Sequence, residues 1–148
     1  MTAPLVAASI AVYNWLDSAT LTGEPAVLRD WAPTLKPEDI SGTTVYVIPA
    51  GDSDFTTTTR AGDQTVELNI DIVIVGKLSQ AARVTDHDAL VNLRDLILRG
   101  AEGVIGHDFD GFTCIDCEPL EPIDLAEYRE GVGVCRVRLT LKGTDDHG

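Results

Sequence analysis

The residues of this chain best placed by type and spacing to do chemistry are Cys114 and Cys117, a Cys-x-x-Cys pair, with Cys135, His87 and His107 as further potential ligands. A structural zinc site needs four thiolate or imidazole groups converging on one point. The pair stands alone: there is no second Cys-x-x-Cys, and Ile115 and Asp116 between the thiols lack the glycine that a metal knuckle favours. The segment also reads as a strand, in which positions three apart point to opposite faces and cannot share a metal without a turn. Small buried strand cysteines are the expectation, with neither zinc nor a redox pair. His107-Asp108-Phe109-Asp110-Gly111 has the beginning of a cation loop, but the remaining ligands and the closing glutamate are missing. It is read as turn residues between two elements. His87 falls in the first turn of a helix and is expected to be solvated. No nucleophile elbow, phosphate loop or dinucleotide fingerprint occurs, since Gly100 to Gly106 neither follows a strand nor opens a helix. The serines have no His/Asp company. The residues therefore predict no catalytic site, no metal and no cofactor.

The totals narrow the class. A chain of 148 residues, 44% of them hydrophobic, fits one globular domain over residues 1–148. Its 24 acids against 11 bases give a formal charge of −13, which disfavours tight nucleic-acid binding, because that relies on Lys and Arg neutralising phosphates. Three cysteines cannot all pair within the chain. The N-terminal residues lack the Lys or Arg of a secretory signal, and Asn14 and Asp17 interrupt an apolar stretch already too short to cross a bilayer. A reduced, intracellular site of synthesis and no membrane association are expected.

The elements that would position these residues follow from periodicity. A first helix is predicted over Ala3 to Ala19, with one apolar stripe of Leu5, Ala8, Val12, Trp15 and Leu16 and a second of Val6, Ile10 and Tyr13. The second stripe is open to two uses, a subunit contact or intramolecular core. A short strand at Ala26 to Asp30, breaks at Pro33 and Pro37, and a helical turn at Lys36 to Ile40 come next. Two strands then flank a long polar segment. Thr43 to Pro49 ends at a proline, and Gln64 to Gly76 alternates Val66, Leu68, Ile70, Ile72 and Ile74 on one face with Glu67, Asn69 and Asp71 on the other. Between them, Ala50 to Asp63 is read as a 14-residue loop with a run of four threonines, Thr56 to Thr59. A second helix is predicted from Thr85 as N-cap, with Asp88 completing a capping box, to Gly100 as C′ residue. Strands at Gly111 to Asp116 and Gly133 to Lys142 complete the order. In the last of these, Arg136, Arg138 and Lys142 share the outward phase, as Glu67 and Asp71 do on the long strand, so cross-strand or inter-subunit pairing is expected. The predicted fold is α+β, a mainly antiparallel sheet of four to five strands with two helices packed on one face and a long β-hairpin loop. Residues 143–148 read as a frayed tail.

The run Val27-Leu28-Arg29-Asp30-Trp31-Ala32-Pro33, the segments Leu35 to Ile40 and Gly42 to Pro49, Arg60 before the alternating strand, and the helix opening Asp88-Ala89-Leu90-x-x-Leu93 together resemble the tail terminator (tail completion) proteins of long-tailed bacteriophages. The resemblance covers residues 3 to 142 and is one of element order and loose pattern. It implies a structural virion protein without catalytic residues, made in the bacterial host cytoplasm and placed at the tail–neck junction. In that family a homo-oligomeric ring, usually a hexamer, caps the major tail tube protein, stops its polymerisation and offers the surface that joins head and neck connector proteins. DNA then passes through the lumen without specific binding. Head-completion and neck adaptor proteins share the size and style and are the alternative, with a small cytoplasmic enzyme or zinc-binding protein as the outlying one. On this reading Asp52, Asp54, Phe55 and Arg60 of the loop at about 50–63 are the tube-docking residues, mobile in the free subunit and ordered on docking. Val6, Ile10, Tyr13, Glu67, Asp71, Arg136 and Arg138 are the expected subunit interface.

Overall fold

The computed structural model describes residues 3–21, 23–57, 64–103, 105 and 108–145, and gives only the backbone at 52–57, 64, 65, 102, 108, 144 and 145. In chain order the elements are α1 (Pro4–Ser18), β1 (Ala26–Arg29), a 3-10 turn (Pro37–Asp39), β2 (Thr44–Thr57), β3 (Gln64–Lys77), α2 (Arg83–Glu102), β4 (Asp108–Phe109), β5 (Phe112–Pro119), α3 (Leu125–Arg129) and β6 (Val132–Asp145). The strands form one sheet in the order β1-β2-β3-β6-β5-β4. Only β1 and β2 run parallel; every other described pair is antiparallel. This is an α+β fold, as the alternation of the strands implies, and the two-residue β4 is the sixth strand of the sheet.

The core lies where α1 and α2 cover one face. Val66, Leu68, Ile70, Ile72 and Ile74 of β3, all at 0% exposure, meet Ala8, Val12 and Leu16 of α1 and Leu90, Leu93 and Ile97 of α2. Alternation along β3 dictates this, because a strand shows the same side at every second residue. A smaller apolar cluster lies on the opposite face, where Leu35 and Ile40 cover Tyr46, Ile48, Val73, Val75, Val132 and Val134. That explains why β3 is apolar on both sides near its end.

Several boundaries differ from the sequence reading. β2 does not end at Pro49 but runs on to Thr57, so Ala50 to Thr57 of the expected 14-residue loop is strand, and 58–63 lie outside the described residues. The Val47 carbonyl accepts from Asp30 N–H on the β1 side. By alternation the nitrogen of Pro49 also points that way, beyond the end of β1, where no ladder bond is lost. A bulge at Ala50 and a register shift between Ser53 and Thr56 bend this free stretch. β6 reaches Asp145, opposite Gln64, so residues 143–145 of the expected tail are strand and 146–148 lie outside the described residues.

α2 starts at Arg83 rather than after Thr85, because the Asp86 carboxylate accepts the Ser79 N–H at 2.8 Å while Ser79 Oγ accepts the Ala82 N–H at 3.1 Å. It runs past Gly100 to Glu102, and Gly100 packs instead toward Trp15, where an added Cβ would lie 3.5 Å from the indole. α3 was not foreseen. Its signal is Asp124, whose Oδ1 accepts the Glu127 N–H at 3.2 Å as an N-cap.

Candidate assembly surfaces

The expected interface residues fall on two separate surfaces on opposite sides of the sheet. On the helix side, α1 buries Ala8, Ser9, Ala11, Val12 and Leu16. Its second stripe is left half-covered: Val6 and Tyr13 are partly buried, and Ile10 is 38% exposed. Tyr13 packs against the core, so part of the stripe is intramolecular core, while Ile10 stays at the surface. β1 is bound to this helix by Arg29, whose Nη1 donates to the buried Ser9 Oγ at 3.2 Å, while that hydroxyl donates to the Val6 carbonyl at 2.7 Å.

On the open face, side chains line up in rows across the strands. One row carries Glu67 opposite Lys142, the next Asn69 opposite Thr140, and the next Asp71 opposite Arg138 with Glu118 beyond it on β5. Thr140 Oγ1 donates to Asn69 Oδ1 at 3.1 Å. Arg138 grips Asp71 at two points, Nε to Oδ1 at 2.7 Å and Nη2 to Oδ2 at 3.0 Å. These hydrogen bonds first, and the nearby charges of Asp71 and Glu118 after them, hold the guanidinium proton above its ordinary range against the opposing effect of burial. The expected pairing of Asp71 with Arg138 is therefore made within the subunit. One row further along, Val73 faces Arg136, which is half-buried beside the apolar cluster.

Of the expected tube-docking residues, Asp52, Asp54 and Phe55 lie on the far end of β2, described by backbone alone, and Arg60 lies outside the described residues. Asp52, Asp54 and Phe55 belong to a three-stranded extension in which β2, β3 and β6 continue together toward Thr57, Gln64 and Asp145. Phe112 closes over Gly143 at its base, where an added Cβ would come within 2.6 Å of the ring.

Cys114 and Cys117 do not face apart as expected, and one residue makes the difference. Ile115 is a β-bulge: Cys114 pairs with Leu141, Asp116 with Thr140 and Cys117 with Leu139, which turns both thiols toward the helices. Among the described residues, no group of three His, Cys, Asp or Glu side chains is gathered to hold a metal. Burial pushes the Cys114 thiol up and the Cys135 thiol up to about 12, only partly countered at Cys135 by the charge of Arg94. Cys135 Sγ instead donates to the Leu90 carbonyl at 3.4 Å. His87 is not solvated as expected but 8% exposed, with Nε2 2.9 Å from the Pro122 carbonyl and its ring edge-on to Tyr128. Arg94 holds the same loop through Nη1 to the Leu120 carbonyl at 2.6 Å. A groove of about 440 Å³ opens between α2 and the lower ends of the strands, with Thr43, Lys77, Asp86 and Asn92 as its polar lining. Asp86 is committed there to the Ser79 N–H, and the groove brings no nucleophile and base together. No described helix is long and apolar enough to cross a membrane.

No protein-family model matches the sequence, and no curated protein matches it. Among solved structures, the chain is similar to the sheath/tube terminator, in its extended state, of an extracellular contractile injection system termed PVC. The TM-score is 0.52 at 12% identity, and the match covers 100% of this chain and 59% of that one. The chain thus spans 59% of the length of its structural neighbour. At that identity the likeness is one of fold: this chain has a fold like that of a sheath/tube terminator.

Proposed function

We propose that this protein is a structural terminator: a subunit that assembles with identical copies into a ring, hexameric on the phage pattern, and caps a tail tube. The observation that carries the reading is the likeness of fold to a tube terminator along the whole chain. Within a long-tailed phage the ring would sit at the tail–neck junction, stop addition of tube subunits and offer its other side to head connectors. The role is structural rather than catalytic. A ring needs two different patches that fit each other, and the half-covered stripe of α1 and the open sheet face with Arg136 supply two non-equivalent surfaces on opposite sides of the sheet. The charge of −13 suits a lumen through which DNA passes without adhering.

Co-assembly with the tube protein tests this by electron microscopy. Rings at tube ends and tubes that stop lengthening as the chain is added are the expected result. Uncapped tubes, with binding to the head connector alone, would move the assignment to a neck adaptor. Because every subunit carries the same sign of charge, screening should favour rings, so sedimentation should show larger species as salt rises. Replacing Phe55 and Arg60 together should weaken attachment to tubes and leave the unfolding transition of the free chain in place.

A further inference from the structure

Residues 30–43 join β1 to β2, which are parallel neighbours, and such a connection has to cross over one face of the sheet. A helix usually makes this crossing, which keeps the backbone hydrogen bonds internal. Here the chain crosses the open face with a single 3-10 turn, Pro37–Asp39. Its backbone bonds are correspondingly local: Asp39 and Ile40 donate to the carbonyls of Lys36 and Pro37. The last tie to the sheet is Asp30 N–H to the Val47 carbonyl at 3.2 Å. Among the described residues, no backbone hydrogen bond joins residues 31–43 to a strand.

What holds the crossing down is apolar. Leu35 and Ile40 reach the cluster of Tyr46, Ile48, Val73, Val75, Val132 and Val134, whose members are 9% exposed or less. Both ends are built as pivots. Asp30 Oδ1 accepts the N–H groups of Trp31 at 2.6 Å and Ala32 at 3.4 Å, fixing the turn where the chain leaves the sheet, and Gly42 at φ +82° returns it. Between them Pro33 and Pro37 restrict the backbone.

We infer that residues 31–43 are a strap that opens as one unit while the helix-backed sheet stays folded, baring an apolar seat on the open face. Opening breaks two side-chain anchors and no ladder bond, whereas baring the helix-side core requires unfolding the domain. The free chain alone tests this, so the outcome is independent of the terminator reading.

Val134 and Cys135 are adjacent on β6, one beneath the strap and the other beneath α2. In Val134→Cys, alkylation by iodoacetamide under native conditions is followed at each thiol by mass spectrometry, and each rate is divided by its rate in denaturant. The introduced thiol should react at least about tenfold faster than Cys135. Adding Leu35→Ala should accelerate the introduced thiol further and leave the ratio of Cys135 to global unfolding unchanged. Equal protection of the two thiols, or acceleration of both together, would show that the strap opens only with the whole domain. Should Val134→Cys fail to fold, Val75→Cys places the probe on the same face from β3.

Discussion

Gly76 and Gly133 lie directly opposite each other in the β3–β6 ladder, and together they form the notch into which Leu90 of α2 settles. A Cβ on Gly76 would stand 2.9 Å from Leu90 Cδ2, and one on Gly133 would clash with Leu90 and approach His87 Nδ1 to 2.9 Å. The helix therefore comes closer to the sheet than any side-chain pair would permit. Gly133→Ala should destabilise the domain by about 1–3 kcal/mol, the usual cost of overpacking. Gly76→Ala should cost less, since only the flexible end of one leucine has to move. Urea unfolding midpoints measured at constant m-value would check the order.

The two-point grip of Arg138 on Asp71 should behave as a buried interaction on the carboxylate side. Asp71 keeps 11% of its side chain exposed and Arg138 keeps 35%. Arg138→Met should cost about 1–3 kcal/mol, because it leaves a carboxylate covered and unpaired, with the exposure of the guanidinium drawing the value toward the lower end. Pairing it with Asp71→Leu should recover much of the loss. A double-mutant cycle with a coupling energy near zero would contradict this account.

Asp86 lies below the ordinary carboxylate range, 3.8, owing first to the Ser79 backbone N–H and then to its hydroxyl, with desolvation opposing weakly. A carboxylate whose folded value is lowered contributes stability that is complete above its unfolded value and is lost as the pH falls through the folded one. The start of α2 should therefore hold at neutral pH and loosen only below about pH 4. The Ser79 amide, followed by NMR through an acid titration, should report this, and Asp86→Asn should abolish the response.

The thiols should be inert. With Cys135 at about 12 and Cys114 also raised by burial, neither supplies appreciable thiolate near neutral pH. Replacing Cys114 and Cys117 together by Ala should change stability modestly and leave assembly unaltered. Stoichiometric zinc in protein purified without added metal would overturn this expectation, and the bulge at Ile115, which turns both thiols the same way, makes the measurement worthwhile.

Much of the architecture was legible locally. The apolar stripe of α1, the alternation of β3 and β6 and the acids and bases facing outward at Glu67, Asp71, Arg136 and Arg138 all follow from periods of 3.6 and 2 that a short window reveals. Asp110-Gly111, both at positive φ, make the turn expected there between β4 and β5, whereas Asp124-x-x-Glu127 at the start of α3 is a local capping signal that the sequence reading omits.

The sequence by itself determined which faces are apolar, roughly where the two long helices lie and that the charge is strongly negative, because these depend on residue type and near-neighbour spacing alone. Only the tertiary structure decided that Pro49 sits inside a strand, that Ile115 bulges, that β1 lies parallel to β2 and that Leu35 and Ile40 cover the second face. Each of these is a matter of which distant strand pairs with which and in what register. A proline is tolerated or not according to where the neighbouring strand ends, and a thiol faces in or out according to one unpaired residue, so the deciding energies lie between segments that no local window contains.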